Sequence, residues 1–180
     1  MSKKRKVVLF IAASLDGYIA TEDESLEWLF RVEGEGDNGT LEFYDSIDTL
    51  VMGRRTYEWI IHNEPGEFPY KDKQCYVFTR SPMENTEDVT FVNEDVTQFV
   101  EKLRQQDGGD IWMVGGGDLL KSFLEARLID EITVTVAPVL LGKGIPLFKE
   151  GEYETELVLK RVRNFNQFAE LKYELKKDKT

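Results

Sequence analysis

Asp110-Ile111-Trp112-Met113-Val114-Gly115-Gly116-Gly117-Asp118-Leu119-Leu120 is the stretch on which the fold turns. Ile111 to Val114 is an apolar run too short for a helix and bounded by glycines on both sides, which predicts a buried strand. From Asp118 onward, Leu119, Leu120, Phe123, Leu124 and Leu128 fall on one face at helical spacing. The stretch therefore reads as a strand, a glycine turn and the start of a helix. Such a junction presents unpaired helix N–H groups and a partial positive charge, which suit a phosphate. The triplet is neither G-x-G-x-x-G nor a P-loop, and alone it reads as a tight turn that binds nothing. Repetition of the pattern elsewhere in the chain changes that reading.

Upstream, Thr49-Leu50-Val51-Met52-Gly53 predicts a strand ending in glycine, and Arg54 to Ile61 a helix stopped before Pro65. Val7 to Ala13 is a continuous apolar run of the kind buried on both faces of a parallel sheet. Cys75 to Thr79 and Val89 to Val92 predict further strands. Asp95-Val96-Thr97-Gln98 resembles a capping box before a helix whose Val96, Phe99, Val100 and Leu103 share a face. Glu131 to Pro138 predicts another strand. Leu157 to Phe165 shows no helical pattern, and Ala169, Leu171, Tyr173 and Leu175 alternate with charges. Strand and helix thus alternate and then strands follow alone. This predicts one α/β domain over residues 1–180, with a mostly parallel central sheet flanked by helices and an antiparallel C-terminal ending.

Between these elements, Glu22 to Asn38 predicts a long surface loop around Trp28, with Glu22-Asp23-Glu24 solvated. Leu41 to Ile47 predicts a short helix presenting Leu41, Tyr44 and Ile47 to the core. Ser2-Lys3-Lys4-Arg5-Lys6 reads as a solvated lead-in to the first strand.

The chain has 180 residues, a formal net charge of −11 and one cysteine, Cys75. That charge argues against nucleic acid and anionic membrane as partners, because both require a basic surface. No apolar run approaches the length of a membrane span. A lone cysteine in a strand-like run predicts a packed core thiol and fits a reducing compartment, so the cytoplasm is the expected location. One histidine and one cysteine cannot assemble a zinc site of ordinary composition, and no metal is expected. His62, near Pro65 past a helix end, predicts an exposed or capping role.

In a parallel α/β sheet, ligands bind beyond the carboxyl ends of the strands. Three junctions meet there. Gly53-Arg54-Arg55-Thr56 offers close backbone approach, helix N–H groups and two guanidinium groups. Arginine at a helix N-terminus opposes the macrodipole and calls for a compensating anion. Phe78-Thr79-Arg80-Ser81-Pro82 offers two hydroxyls and a guanidinium after a strand. The triple glycine is the third. Together they point to a dinucleotide with an extra phosphate, NADP rather than NAD.

Val51-Met52-Gly53-Arg54-Arg55-Thr56-Tyr57 resembles the strand, Met-Gly-Arg, variable residue, Thr, aromatic signature of dihydrofolate reductases, and Val114-Gly115-Gly116-Gly117 resembles their glycine turn. Ser14-Leu15-Asp16-Gly17-Tyr18-Ile19-Ala20, Leu128-Ile129-Asp130-Glu131 and Pro138-Val139-Leu140-Leu141-Gly142-Lys143-Gly144 are more similar to the reductase domain at the C-terminus of bacterial RibD and to its stand-alone relatives. The resemblance implies a dihydrofolate-reductase-like fold, NADPH as cofactor and a homodimer. It implies that Arg54, Arg55 and Thr56 meet the cofactor phosphates. Thr79, Arg80 and Ser81 would meet the adenosine-side phosphate, and Gly115, Gly116, Gly117, Asp118 and Leu119 the pyrophosphate and nicotinamide side. Gly53 and Ala13 would also lie against the cofactor. It further implies a cis Gly115–Gly116 peptide.

For the substrate, Asp16 is expected nearby, and Trp28 in its loop either packs in the core or lines the substrate pocket. Asp37 stands at the family's distance before Gly53 and is the candidate catalytic carboxylate, although within Gly34-Glu35-Gly36-Asp37-Asn38-Gly39 it also reads as a solvated loop acid. Two family motifs are missing. No proline occurs between Met1 and Glu64, so the Leu-Pro-x-acid stretch that holds a pterin has no counterpart. Phe43-Tyr44-Asp45-Ser46 lacks the His-x-x-Arg element that accompanies a phosphoribosyl pyrimidine. Two functions remain open: an NADPH-dependent reductase of a small heteroaromatic or carbonyl substrate, and a non-catalytic nucleotide-binding dimer that retains the fold.

Overall fold

The computed structural model describes residues 4–177. The chain order is β1 (Val7–Ser14), β2 (Tyr18–Ala20), α1 (Glu27–Phe30), α2 (Thr40–Ser46), β3 (Ile47–Gly53), α3 (Arg54–Asn63), β4 (Gln74–Phe78) and β5 (Thr90–Val92). It continues with α4 (Val96–Arg104), β6 (Asp110–Gly115), α5 (Gly117–Glu125), β7 (Glu131–Ala137), β8 (Ile145–Pro146), β9 (Leu157–Phe165) and β10 (Phe168–Leu175). Eight strands form one sheet in the order β5-β4-β3-β6-β1-β7-β10-β9. Neighbours are parallel from β5 to β7; β10 is antiparallel to both β7 and β9. This is the α/β architecture the strand–helix alternation predicts. Strands β2 and β8 pair separately beside it.

The central strands read as unbroken apolar runs because both faces are covered. In β3, Leu50, Val51 and Met52 are all fully buried, yet they serve different layers. Val51 packs in the cluster that holds Phe99, Val100 and Leu103 of α4 and Leu120, Phe123 and Leu124 of α5. Leu50 and Met52 pack in the cluster that holds Ile60 of α3, with Phe43 and Tyr44 of α2 at its edge. Successive side chains point to opposite faces, so one strand supports two helical layers. The Asp95 carboxylate accepts the Gln98 N–H at 3.0 Å and caps α4 as its sequence predicts.

Four expectations need correction. Arg5 is no solvated residue: it is 4% exposed, its guanidinium bonding Asp48, Thr49 and the carbonyls of Leu103 and Gly109. Burial is tolerated because these partners satisfy the charge; Ser2 and Lys3 of the same lead-in lie outside the described residues. Leu41 is 65% exposed, since α2 turns Phe43 and Tyr44 to the core instead, and Ile47 is buried as the first residue of β3. The loop after β2 contains α1, whose Trp28 packs with Ala137 and Phe168. Glu24 in its acidic run is half-buried and pairs with Arg55 at 2.8 Å.

Candidate active site

Strands β4, β3, β6 and β1 are consecutive in the sheet and parallel, so their carboxyl ends form one edge. Above that edge lies a cleft of about 850 Å³. The order of strands explains its contents. The end of β4 contributes Thr79, Arg80 and Ser81; the end of β3 contributes Gly53, Arg54, Arg55 and Thr56; the end of β6 contributes Gly115 to Leu119. Three junctions far apart in sequence thus converge.

Two helices begin at this cleft, α3 after Gly53 and α5 after Gly116, and neither has a side-chain cap. Their first N–H groups lack the usual partners and carry the positive end of each macrodipole. Gly115 has φ +147°, a conformation L side chains rarely adopt. The Gly115–Gly116 peptide is cis. Thr56 stands beside this turn: a Cβ added at Gly116 would come 3.3 Å from its hydroxyl oxygen.

The charges around the turn are largely matched. Arg54 donates to Glu58 at 2.8 Å, Arg55 to Glu24 at 2.8 Å and Lys149 to Asp118 at 2.8 Å. The Lys149 hydrogen bond holds the Asp118 carboxyl below the usual range. Arg80 makes no hydrogen bond or ion pair within the described residues.

Towards β1 and β2 the lining is apolar: Ile11 and Ala12 of β1, Ile19 of β2, Leu26 and Leu29 around α1 and Trp59 of α3 line this end. The Trp59 indole N–H donates to the Glu24 carbonyl at 3.0 Å, tying the loop to α3. No sequence pattern marked Glu24, Leu26, Leu29, Asn93, Glu94 or Lys149 as lining residues, because loop and strand ends bring them in from separate places.

The remaining candidates lie elsewhere. Ala13 is buried within β1 and its neighbour Ala12 lines the cleft. Trp28 is 3% exposed in the core behind α1 and is not among the lining residues. Asp16 sits at the β1–β2 turn outside the cleft. It accepts from the Ser14 hydroxyl, at 2.6 Å, and from the N–H groups of Leu141 and Gly142, so its carboxyl is held low. Asp37 sits in an exposed turn outside the lining, accepting the N–H groups of Leu41 at 2.9 Å and Gly39 at 3.0 Å. Those bonds lower its carboxyl, and their role is to start α2. Among the described residues no group of three or more metal-ligating side chains forms.

The donor set suits a dinucleotide. Two uncapped helix starts, a close-approach glycine turn and flanking guanidinium groups are what a pyrophosphate with an added phosphate requires. The model of the RibD C-terminal domain matches residues 5–169. The chain is 50% identical over 171 residues to Uncharacterized protein YwjB of Bacillus subtilis (strain 168), covering 94% of this chain and 98% of that one. Among solved structures it is similar to a Shewanella sp. PV-4 protein named for riboflavin biosynthesis, with TM-score 0.88 and 29% identity over 96% of this chain and 99% of that one. A dihydrofolate reductase from Enterococcus faecalis, complexed with NADP(H), shares the fold at TM-score 0.64 and 20% identity, covering 98% of this chain and 100% of that one.

Proposed function

The chain belongs to the RibD C-terminal domain family, whose fold is that of reductases, and on that premise we propose that it is an NADPH-dependent reductase of a small heteroaromatic or carbonyl substrate. One observation carries the reading: α3 and α5 begin without side-chain caps at a single cleft that Arg80 also lines. Gly116, Gly117 and the start of α5 would hold the pyrophosphate. Thr79, Arg80 and Ser81 would hold the extra phosphate. A bound nicotinamide supplies the hydride. The chain orients both partners, and its apolar end excludes water that would compete for them.

Arg80 is the most direct test, since among the described residues its guanidinium makes no hydrogen bond or ion pair that a phosphate would have to displace. NADPH should bind more tightly than NADH in calorimetric titration. Arg80→Ala should cost NADPH about 1.5–3 kcal/mol and leave NADH nearly unchanged. Equal affinities for the two cofactors would count against the assignment.

The position of Asp37 outside the cleft favours keeping a second reading, a nucleotide-binding protein without catalysis. NADPH oxidation screened against dihydrofolate, pyrimidines and quinones separates the two. Turnover with any of them removes the second reading.

A further inference from the structure

We infer that the substrate end of this cleft takes an uncharged, mostly apolar ring rather than a phosphorylated molecule; this rests on the reductase reading above. Ile11, Ile19, Leu26, Leu29, Trp59 and Ile145 line that end, each half-buried. Glu24 and Arg55 also line the cleft and pair with each other at 2.8 Å at its solvent-facing rim, the Arg55 side chain being 84% exposed.

Glu24 is held in that position. Its backbone N–H donates to the Thr21 carbonyl at 3.0 Å, and its own carbonyl accepts from Trp59 at 3.0 Å. Its φ is +65°, a left-handed turn conformation uncommon for a non-glycine residue. These backbone bonds place Glu24 within reach of Arg55, so the two charges at this rim offset each other.

Two of the other basic groups lining the cleft are paired, Arg54 with Glu58 and Lys149 with Asp118, and Arg80 follows β4, three strands away from β1 in the sheet. A phosphate monoester at the apolar end would lose its water and, among the described residues, find the basic groups beside it already paired. A neutral ring gives up little hydration and gains contact with apolar walls.

The test uses a matched pair of probes, 1-naphthol and 1-naphthyl phosphate, titrated calorimetrically into the full chain saturated with NADP+. Naphthol should bind, and naphthyl phosphate should bind at least about tenfold more weakly. Glu24→Gln removes the charge opposite Arg55 and should tighten naphthyl phosphate several-fold, a larger change than any in naphthol. Leu29→Arg, with its fold checked by circular dichroism, should reverse the preference.

Naphthyl phosphate binding the wild type as tightly as naphthol, or neither probe binding, overturns the inference. Unchanged naphthyl phosphate affinity in Glu24→Gln overturns the role given to the Glu24–Arg55 pair. NADP+ itself giving no saturable heat overturns the reductase reading and this inference with it. NADP+ binding alongside a preference for naphthyl phosphate removes the substrate class alone.

Discussion

Gly116 and Gly115 are adjacent, yet substitution should act on them differently. Gly116 has φ −88°, which alanine adopts freely, and its added Cβ would meet the Thr56 hydroxyl oxygen at 3.3 Å. A small rotation of that hydroxyl relieves the contact. Gly116→Ala should therefore melt near the wild-type temperature while weakening NADPH by at least about tenfold, because the methyl group enters the space the proposed pyrophosphate needs. A thermal melt paired with a cofactor titration checks both halves. At Gly115, φ +147° makes any side chain strained, so Gly115→Ala should lower the melting temperature as well. Cys75 offers a different residue-level expectation. Burial first, then the charges of Asp72 and Asp88, push its thiol from 9.0 up to about 12. A raised acid keeps its proton in the folded chain after the unfolded chain has lost it. Its contribution is complete below about pH 9 and falls as pH rises toward 12. Urea unfolding between pH 8 and pH 10.5 should show a smaller loss of stability in Cys75→Ala than in the wild type, over that roughly chosen window.

The β9–β10 hairpin contains the most demanding polar arrangement among the elements. Glu170 is fully buried, and its carboxylate accepts from Arg163 Nε at 2.8 Å and Nη2 at 3.0 Å and from Arg161 Nη2 at 3.1 Å. Register places Glu170 directly opposite Arg163 across the ladder. Arg163 also reaches Glu42 of α2 at 2.9 Å, so the hairpin is fastened to a helix as well as to its neighbour strand. Removing Glu170 leaves Arg161 and Arg163, whose side chains are 37% and 27% exposed and take up water in its place. Glu170→Ala should therefore cost about 1–3 kcal/mol in chemical denaturation. A loss below about 1 kcal/mol would mean that water replaces the carboxylate without penalty.

Across the whole molecule, the sheet is covered unevenly. Helices α4 and α5 pack over β6, β1 and their neighbours, whereas β9 forms an edge with Leu159 54% and Val162 60% exposed. By register Leu159 faces Tyr173 and Val162 faces Leu171, so an apolar row runs along one face of the last two strands. An apolar row beside an open edge is a liability for a monomer. We propose a symmetric homodimer through β9 and β10. Sedimentation at micromolar concentration should give twice the chain mass, and Val162→Lys should shift it to the monomer. A wild-type monomer under those conditions removes the idea.

Much of this was readable from local pattern. The strand–glycine–helix junctions at Gly53 and Gly115 to Gly117, the Asp95 cap and the closing strands follow from period, capping and turn chemistry, which act within a few residues. That Thr79 to Ser81, Arg54 to Thr56 and Gly115 to Leu119 lie at one edge follows from the shared direction of parallel strands, which alternation with helices predicts, whereas the order β4-β3-β6-β1 that makes them neighbours comes from the tertiary structure. What pattern could not supply was long-range pairing. Arg5 looks like a solvated cation until Asp48, Thr49 and two distant carbonyls surround it. Glu24 looks like one acid among several until α3 brings Arg55 and Trp59 to it. Asp37 keeps the right spacing before Gly53, yet its carboxylate bonds Gly39 and Leu41 beside it. Charge and exposure belong to a residue's neighbours in space, and only packing chooses those neighbours.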